Sequence, residues 1–186
     1  MKTRNIIIII LTIIGITLFG IIQGIVIPQK AQNEQQYISE QKDPLTHDFK
    51  NVIKYKNKYM GNSSNIINLF RSLPLNDIRM SFELFPDTLT VEVNYKETVL
   101  GIGENKVNKA LIYNSTAAFA LIDNLEAINY KFTGASYKVS RSETEKWYGA
   151  KLSTLTEKDV WNKEVQSSLD DNEYLQKCTK AILQEE

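Results

Sequence analysis

Met80-Ser81-Phe82-Glu83-Leu84, a Pro86-Asp87 turn, and Leu89-Thr90-Val91-Glu92-Val93-Asn94-Tyr95 form the stretch on which the fold depends. Apolar and polar residues alternate with period two on both sides of the turn. Side chains of a strand point alternately to opposite faces, so the pattern predicts an antiparallel hairpin. Phe82, Leu84, Val91, Val93 and Tyr95 share its buried face. Glu83 and Glu92 fall on the solvent face as cross-strand neighbours.

Toward the C-terminus, Gly101 and Gly103 mark a loop. The Ala-rich stretch Ala110 to Leu125 then predicts a central buried helix. Ile128, Tyr130 and Phe132 alternate, Gly134 turns the chain, and Tyr137 and Val139 complete a second hairpin. Ser142-Glu143-Thr144-Glu145 reads as a capping box for a short helix carrying Trp147 and Tyr148 and stopped by Gly149. A further helix opens at Thr156 with Val160, Trp161, Val165 and Leu169 inward. The last helix aligns Leu175, Cys178 and Ile182.

Toward the N-terminus, Phe49, Val52, Ile53 and Lys56 fit a helical face. Gly61-Asn62-Ser63-Ser64 is a turn and N-cap, Ile66, Ile67, Phe70 and Leu73 follow at helical spacing, and Pro74 ends that helix. The sum is an α+β domain, two antiparallel β-hairpins around a central helix with flanking helices.

Ahead of the domain lies a different kind of sequence. Ile6 to Ile27 is 22 residues without a charge, 12 of them Ile. A helix of that length spans roughly 33 Å, enough for the hydrocarbon core of a bilayer. The span is longer than a signal h-region, and Val26-Ile27-Pro28-Gln29-Lys30 is a poor cleavage context, which favours an uncleaved anchor. Lys2 and Arg4 before it put the N-terminus inside. The expected organisation is a cytoplasmic n-region at 1–5, a transmembrane anchor at 6–27 and a polar, Gln-rich tether at 28–45. An extracytoplasmic domain at 46–149 and C-terminal amphipathic helices at 150–186 complete the chain.

Bulk composition narrows the function. Lys+Arg and Asp+Glu balance at 22 each, which argues against a nucleic-acid binder. One Cys and one His exclude a disulfide framework and an ordinary Cys/His zinc cluster. No cofactor motif is present. Gly101-Ile102-Gly103 lacks the third glycine of a dinucleotide site, and neither G-x-S-x-G nor H-E-x-x-H occurs. His47, beside Asp48 in a polar stretch, reads as a solvated boundary residue. Cys178 reads as core. Asn62-Ser63-Ser64 and Asn114-Ser115-Thr116 match glycosylation acceptors only incidentally.

Three stretches, Lys58 to Ser64, Ala120 to Leu125 and Thr144 to Gly149, together resemble the uncharacterised bacterial family called domain of unknown function 4825, over roughly residues 46–149. The resemblance implies a surface-facing domain of Gram-positive bacteria, often behind a membrane anchor, with no established activity. Similar domains are attached to some membrane metallopeptidases, but no peptidase motif is present here.

The expected function is therefore a membrane-anchored, non-enzymatic extracytoplasmic domain that binds or senses something at the cell envelope. Its basic stretch, Lys42 to Arg71, suggests anionic wall polymer or lipid headgroups as partners, with the bilayer held through Ile6 to Ile27. Lys54, Lys56, Lys58, Tyr59, Asn62, Trp147 and Tyr148 are the candidate binding surface. Two alternatives stand beside it. One is an interaction subunit of a membrane complex, with Gly20 and Gly24 as a weak helix-association cue. The other is a cell-wall hydrolase working through Glu83 and Glu92.

Overall fold

The computed structural model describes residues 2–185. Met1 of the basic n-region and Glu186 of the acidic C-terminal stretch lie outside the described residues, as does the side chain of Lys2. The chain forms two compact units, residues 1–39 and 40–186.

The first unit is helical. α1 (Lys2–Ile21) runs into a π-turn (Ile22–Val26) and then α2 (Ile27–Glu40). The helix from Thr3 to Glu40 is long and apolar enough to cross a membrane, and none of its apolar window is buried by protein. The Thr12 and Thr17 hydroxyls donate back to the carbonyls of Ile8 (2.9 Å) and Ile13 (2.8 Å), so both are satisfied within the helix. The π-turn has a local cause in Pro28. Proline has no N–H, and its ring presses on the carbonyl four residues back, that of Gly24. A wider turn relieves this, and the Ile27 N–H bonds the Ile22 carbonyl five residues away. The expected tether at 28–45 is helical as far as Glu40, and only residues 41–46 are turns. Ala, Gln, Glu and Lys are good helix formers, so a helix already nucleated upstream propagates through them.

The second unit carries one five-stranded sheet in the order β1-β2-β3-β4-β5. β1 (Met80–Phe85) pairs antiparallel with β2 (Thr90–Tyr95), in the register Phe82↔Val93 and Leu84↔Val91. The expected face is therefore formed, and Glu83 stands opposite Glu92. β3 (Ala127–Phe132) and β4 (Ala135–Ser140) form the second hairpin, turning at Gly134 with φ +84°. β2 and β3 are parallel, so the two hairpins are halves of a single sheet joined by a helical crossover. β5 (Gln184–Glu185) adds a short edge beside β4.

That crossover contains α4 (Val99–Ile102) and α5 (Glu104–Leu121). The expected loop at 101–103 is a helical turn that Gly103, at φ +100°, breaks before α5 starts. α5 ends at Leu121 because Ile122 turns extended and bridges to Asn57. Every residue from Ala110 to Leu121 is buried. Two of its polar groups find partners on other parts of the domain: Asn114 Nδ2 donates to the Pro74 carbonyl (2.9 Å) and Ser115 Oγ meets the Tyr130 hydroxyl (3.0 Å). Asn114 is thus no glycosylation acceptor.

Shorter helices pack around α5, and α3 also reaches the sheet, where Phe70 meets Phe82 and Tyr130. α3 (Ser63–Ser72) is capped by Asn62, whose side chain accepts from the Asn65 N–H. α6 (Arg141–Tyr148) is capped by Ser140 rather than Ser142, so the capping box sits two residues earlier than expected, and it stops at Gly149 with φ +63°. Residues 49–55 form two 3₁₀ turns instead of a helix. The expected helix from Thr156 is a broken run: a 3₁₀ turn (Leu152–Thr156), α7 (Lys158–Trp161), a π-turn (Asn162–Gln166) and a second 3₁₀ turn (Ser167–Asp170). Trp161, Val165 and Leu169 point inward, but Val160 is 37% exposed, because Trp161 takes the inward position and stacks on Phe49 at 3.7 Å between ring centroids. α8 (Asn172–Ile182) buries Leu175, Cys178 and Ile182. Burial pushes the Cys178 thiol up to about 12, which fits the core role expected of it.

Candidate functional site

The site begins with the segment that follows the N-terminal helix. Residues 41–48 carry polar groups whose partners lie far away in sequence. Lys42 pairs with Asp77 at 3.8 Å, and the Gln41 carbonyl accepts from Asn76. Gln166, itself buried, donates from Nε2 to the carbonyls of Pro44 (2.8 Å) and His47 (2.9 Å). These bonds pin the segment against the C-terminal helical run.

His47 is buried, only 2% exposed, which corrects the expected solvated boundary histidine. Its Nε2 lies 2.8 Å from the Ser72 carbonyl and its Nδ1 2.9 Å from the Tyr113 hydroxyl. A carbonyl only accepts, so Nε2 carries the proton and Nδ1 accepts from Tyr113. The Tyr113 oxygen in turn accepts from Trp161 Nε1 at 3.1 Å. Burial pulls the His47 pKa below its ordinary value, against the opposing influence of the Ser72 carbonyl and Asp48. Both hydrogen-bond partners of the His47 ring are remote in sequence, so the polar neighbourhood at 46–48 misrepresented its environment. Bonded to a backbone carbonyl and a phenol, the ring has no serine nucleophile to serve.

Beside this cluster the segment walls a cleft of about 550 Å³. One side is built from Leu45 to Lys50 with Ile53 and Lys56, and the other from Thr156 to Lys158 with Asn162 and Gln166. Leu121, the end of α5, reaches its floor. That volume is in the range of small-molecule sites. Lys50, Lys56 and Lys158 line it as exposed side chains. None of them is ion-paired among the described residues. Asp48 also lines the cleft, and its Oδ1 accepts from the backbone N–H of Lys50 at 3.2 Å.

Of the seven residues expected to form a binding surface, Lys56 alone lines this cleft. Lys54 lies over the Tyr55 ring at 5.1 Å. Lys58 and Asn62 are exposed, and Tyr59 is 66% exposed. Trp147 packs within the domain. It is half-buried against α8, donating from Nε1 to the Tyr174 hydroxyl at 2.9 Å. Tyr148, next to it, is half-buried, and burial of its hydroxyl raises its pKa well above the ordinary value. Both serve packing between α6 and α8. Lys50 belongs to the basic stretch but was not singled out, and Lys158 and Gln166 were missed, since no local pattern shows that residues more than a hundred positions apart face one another.

The two sheet carboxylates differ. Glu83 is exposed, whereas Glu92 is buried on the same face, 2.8 Å from Lys131 Nζ and 3.0 Å from Asn94 Nδ2. Burial pushes its carboxyl up, but the bonds from Lys131 and Asn94 outweigh this and hold it below the usual range. A glycosidase general acid needs the opposite shift. No group of three or more His, Cys, Asp or Glu side chains suited to a metal ion occurs among the described residues.

No curated protein and no solved structure matches the chain. A family match begins inside the 49–55 turns and ends in the first turn of α6, taking in α3, both hairpins and α5. The Thr144 to Gly149 stretch and both Gln166 and the 45–50 wall of the cleft lie beyond it. Residues 52–142 match the family described as Domain of unknown function (DUF4825), the family that the sequence resembles.

Proposed function

We propose that this chain is a single-pass membrane protein of a Gram-positive cell envelope, with its N-terminus cytoplasmic and residues 28–186 outside. Its α+β domain binds and senses a ligand without catalysing a reaction. One observation carries this reading. The cleft is walled by Leu45 to Lys50, the segment directly after the apolar helix, and Gln166 in the opposite wall holds the backbone of that same segment. A ligand touching both walls changes the forces on the residues that lead to the anchor, which is the coupling a sensor needs.

Two measurements test the proposal. Alkaline phosphatase fused at residue 186 should be active and green fluorescent protein at the same position dark; the reverse pattern refutes the topology. The full chain in detergent micelles is then screened by thermal shift against wall fragments, lipid headgroups and β-lactams. A ligand at 100 times its dissociation constant adds about 2.7 kcal/mol. Ile53→Trp, which fills the cleft, should abolish the shift.

The second reading, a subunit of a membrane complex, is favoured by Gly20 and Gly24. A Cβ placed at either would meet nothing within 4 Å, so this helix face is open to a close-packed neighbour. Crosslinking in membranes that recovers only monomer counts against it.

A further inference from the structure

The cleft combines two properties that select for one ligand chemistry. Its rim holds Lys50, Lys56 and Lys158, three ammonium groups without an ion-pair partner among the described residues. Some other lysines of this domain are compensated, Lys146 by Glu143 at 3.6 Å, Lys177 by Glu173 at 2.6 Å and Lys131 by Glu92 at 2.8 Å. Lys54 and Lys58 are not ion-paired among the described residues either; what sets Lys50, Lys56 and Lys158 apart is that they line one cleft. The cleft also contains Asp48 and Glu157, and three cations against two carboxylates leave it net positive. Like charges gathered on a low-dielectric wall repel one another, and an entering anion relieves that repulsion.

Beneath the rim the surface is apolar. Leu45 is half-buried, Ile53 is 37% exposed, and Leu121 closes the floor. Inorganic phosphate would satisfy the lysines and leave this surface wet. A neutral hydrocarbon would cover it and leave the cations uncompensated. A ligand with both parts answers both walls.

We propose that the cleft binds an anionic amphiphile, its phosphate or carboxylate head among Lys50, Lys56 and Lys158 and its apolar part over Leu45 and Ile53. This rests on the reading of the cleft as the binding site. The shared chemistry has two sources, a bilayer lipid and a free amphiphile, and the experiment separates them.

The full chain in phosphatidylcholine nanodiscs is titrated calorimetrically with dihexanoyl phosphatidate. Inorganic phosphate, dihexanoyl phosphatidylcholine and hexyltrimethylammonium are run in parallel. The expected result is saturable binding of the phosphatidate, at least tenfold tighter than inorganic phosphate. Charge-assisted contacts of this kind are each worth about tenfold. The triple variant Lys50→Gln/Lys56→Gln/Lys158→Gln should therefore bind at least about a hundredfold more weakly, with an unchanged melting midpoint, whereas Lys146→Gln binds as wild type. Equal affinity for inorganic phosphate, or undiminished binding by the triple variant, overturns the proposal.

If only the zwitterionic or cationic probe binds, in a manner abolished by Ile53→Trp, the cleft stands as the site and the anionic ligand falls. If no probe binds, both fall. In phosphatidylglycerol nanodiscs, loss of the phosphatidate heat with the triple variant unaffected marks the bilayer lipid as the occupant. Persistence of that heat marks a free amphiphile. Either result supports the shared chemistry.

Discussion

Two apolar helices in this chain meet opposite fates. The N-terminal helix leaves Ile6 to Ile27 uncovered, whereas α5 is buried from Ala110 to Leu121. Their polar residues show the same logic solved in two ways. In the N-terminal helix, Thr12 and Thr17 bond only their own backbone. In α5, Asn114 and Ser115 bond Pro74 and Tyr130, on other elements, while Thr116 bonds the Ile112 carbonyl of its own helix. A helix that folds into a protein core can use the core as well as its own backbone to satisfy its polar groups. One that has lipid as its surroundings must satisfy them internally. The comparison thus separates two kinds of apolar surface, one that the fold itself removes from water and one that the fold leaves uncovered.

The largest effects should come from breaking each helix separately. Phe119→Ala removes a ring that is 1% exposed and lies under the Arg141 guanidinium, 5.3 Å from its centroid. It should destabilise the domain by about 3–5 kcal/mol, read as a lower thermal midpoint by near-ultraviolet circular dichroism, with membrane partitioning unchanged. Ile13→Arg should do the converse. A charge at the centre of a span costs about 2.5–3.5 kcal/mol on insertion scales, so flotation with vesicles should fall while the domain melts as before. Coupled loss of both properties in either variant would erase the distinction.

A smaller effect sharpens the comparison through pH. His47 docks on α5 through Tyr113, and burial lowers its pKa. The unfolded chain, with an ordinary imidazole near 6.5, then binds the proton more tightly than the folded one. The stability contributed by neutral His47 is in place above that pH and is lost as pH falls below it, by up to about 1.4 kcal/mol per pH unit until the folded pKa is reached. Melting curves between pH 5 and pH 7.5 should show this slope, and His47→Gln should flatten it. Flotation should stay constant across the same range.

The smallest effect lies at the surface. Lys177→Ala removes an exposed i,i+4 pair with Glu173 and should shift stability by no more than about 0.5 kcal/mol. A larger loss would mean that the α8 surface contributes to stability as the core does.

Local pattern made much of the fold legible. The register Phe82↔Val93 follows from alternation and turn position, and the inward stripe of Leu175, Cys178 and Ile182 follows from helical spacing. Boundaries were less legible where two signals compete. Ser140 and Ser142 both precede a glutamate by three residues, and the backbone chose Ser140, which continues directly from β4. The Gln-rich stretch after Pro28 reads as a tether by polarity, yet its residues are good helix formers downstream of an existing helix. The candidate site was hardly legible at all. Lys56 was found because it belongs to a basic stretch, but Lys158 and Gln166 belong to an acidic one.

The sequence by itself determined which segments are apolar, where strands alternate, and where helices start and stop, because those properties depend on neighbours within a few residues. It also determined that the charges balance. Only the tertiary structure decided that β2 and β3 lie side by side, so that two hairpins make one sheet. It likewise decided that the lone histidine is buried against Tyr113 and that the 45–50 segment faces residues 156–166 across a cleft. Such contacts are set by which surfaces remain to be covered once the elements have formed. That is a property of the whole packed domain rather than of any window along the chain.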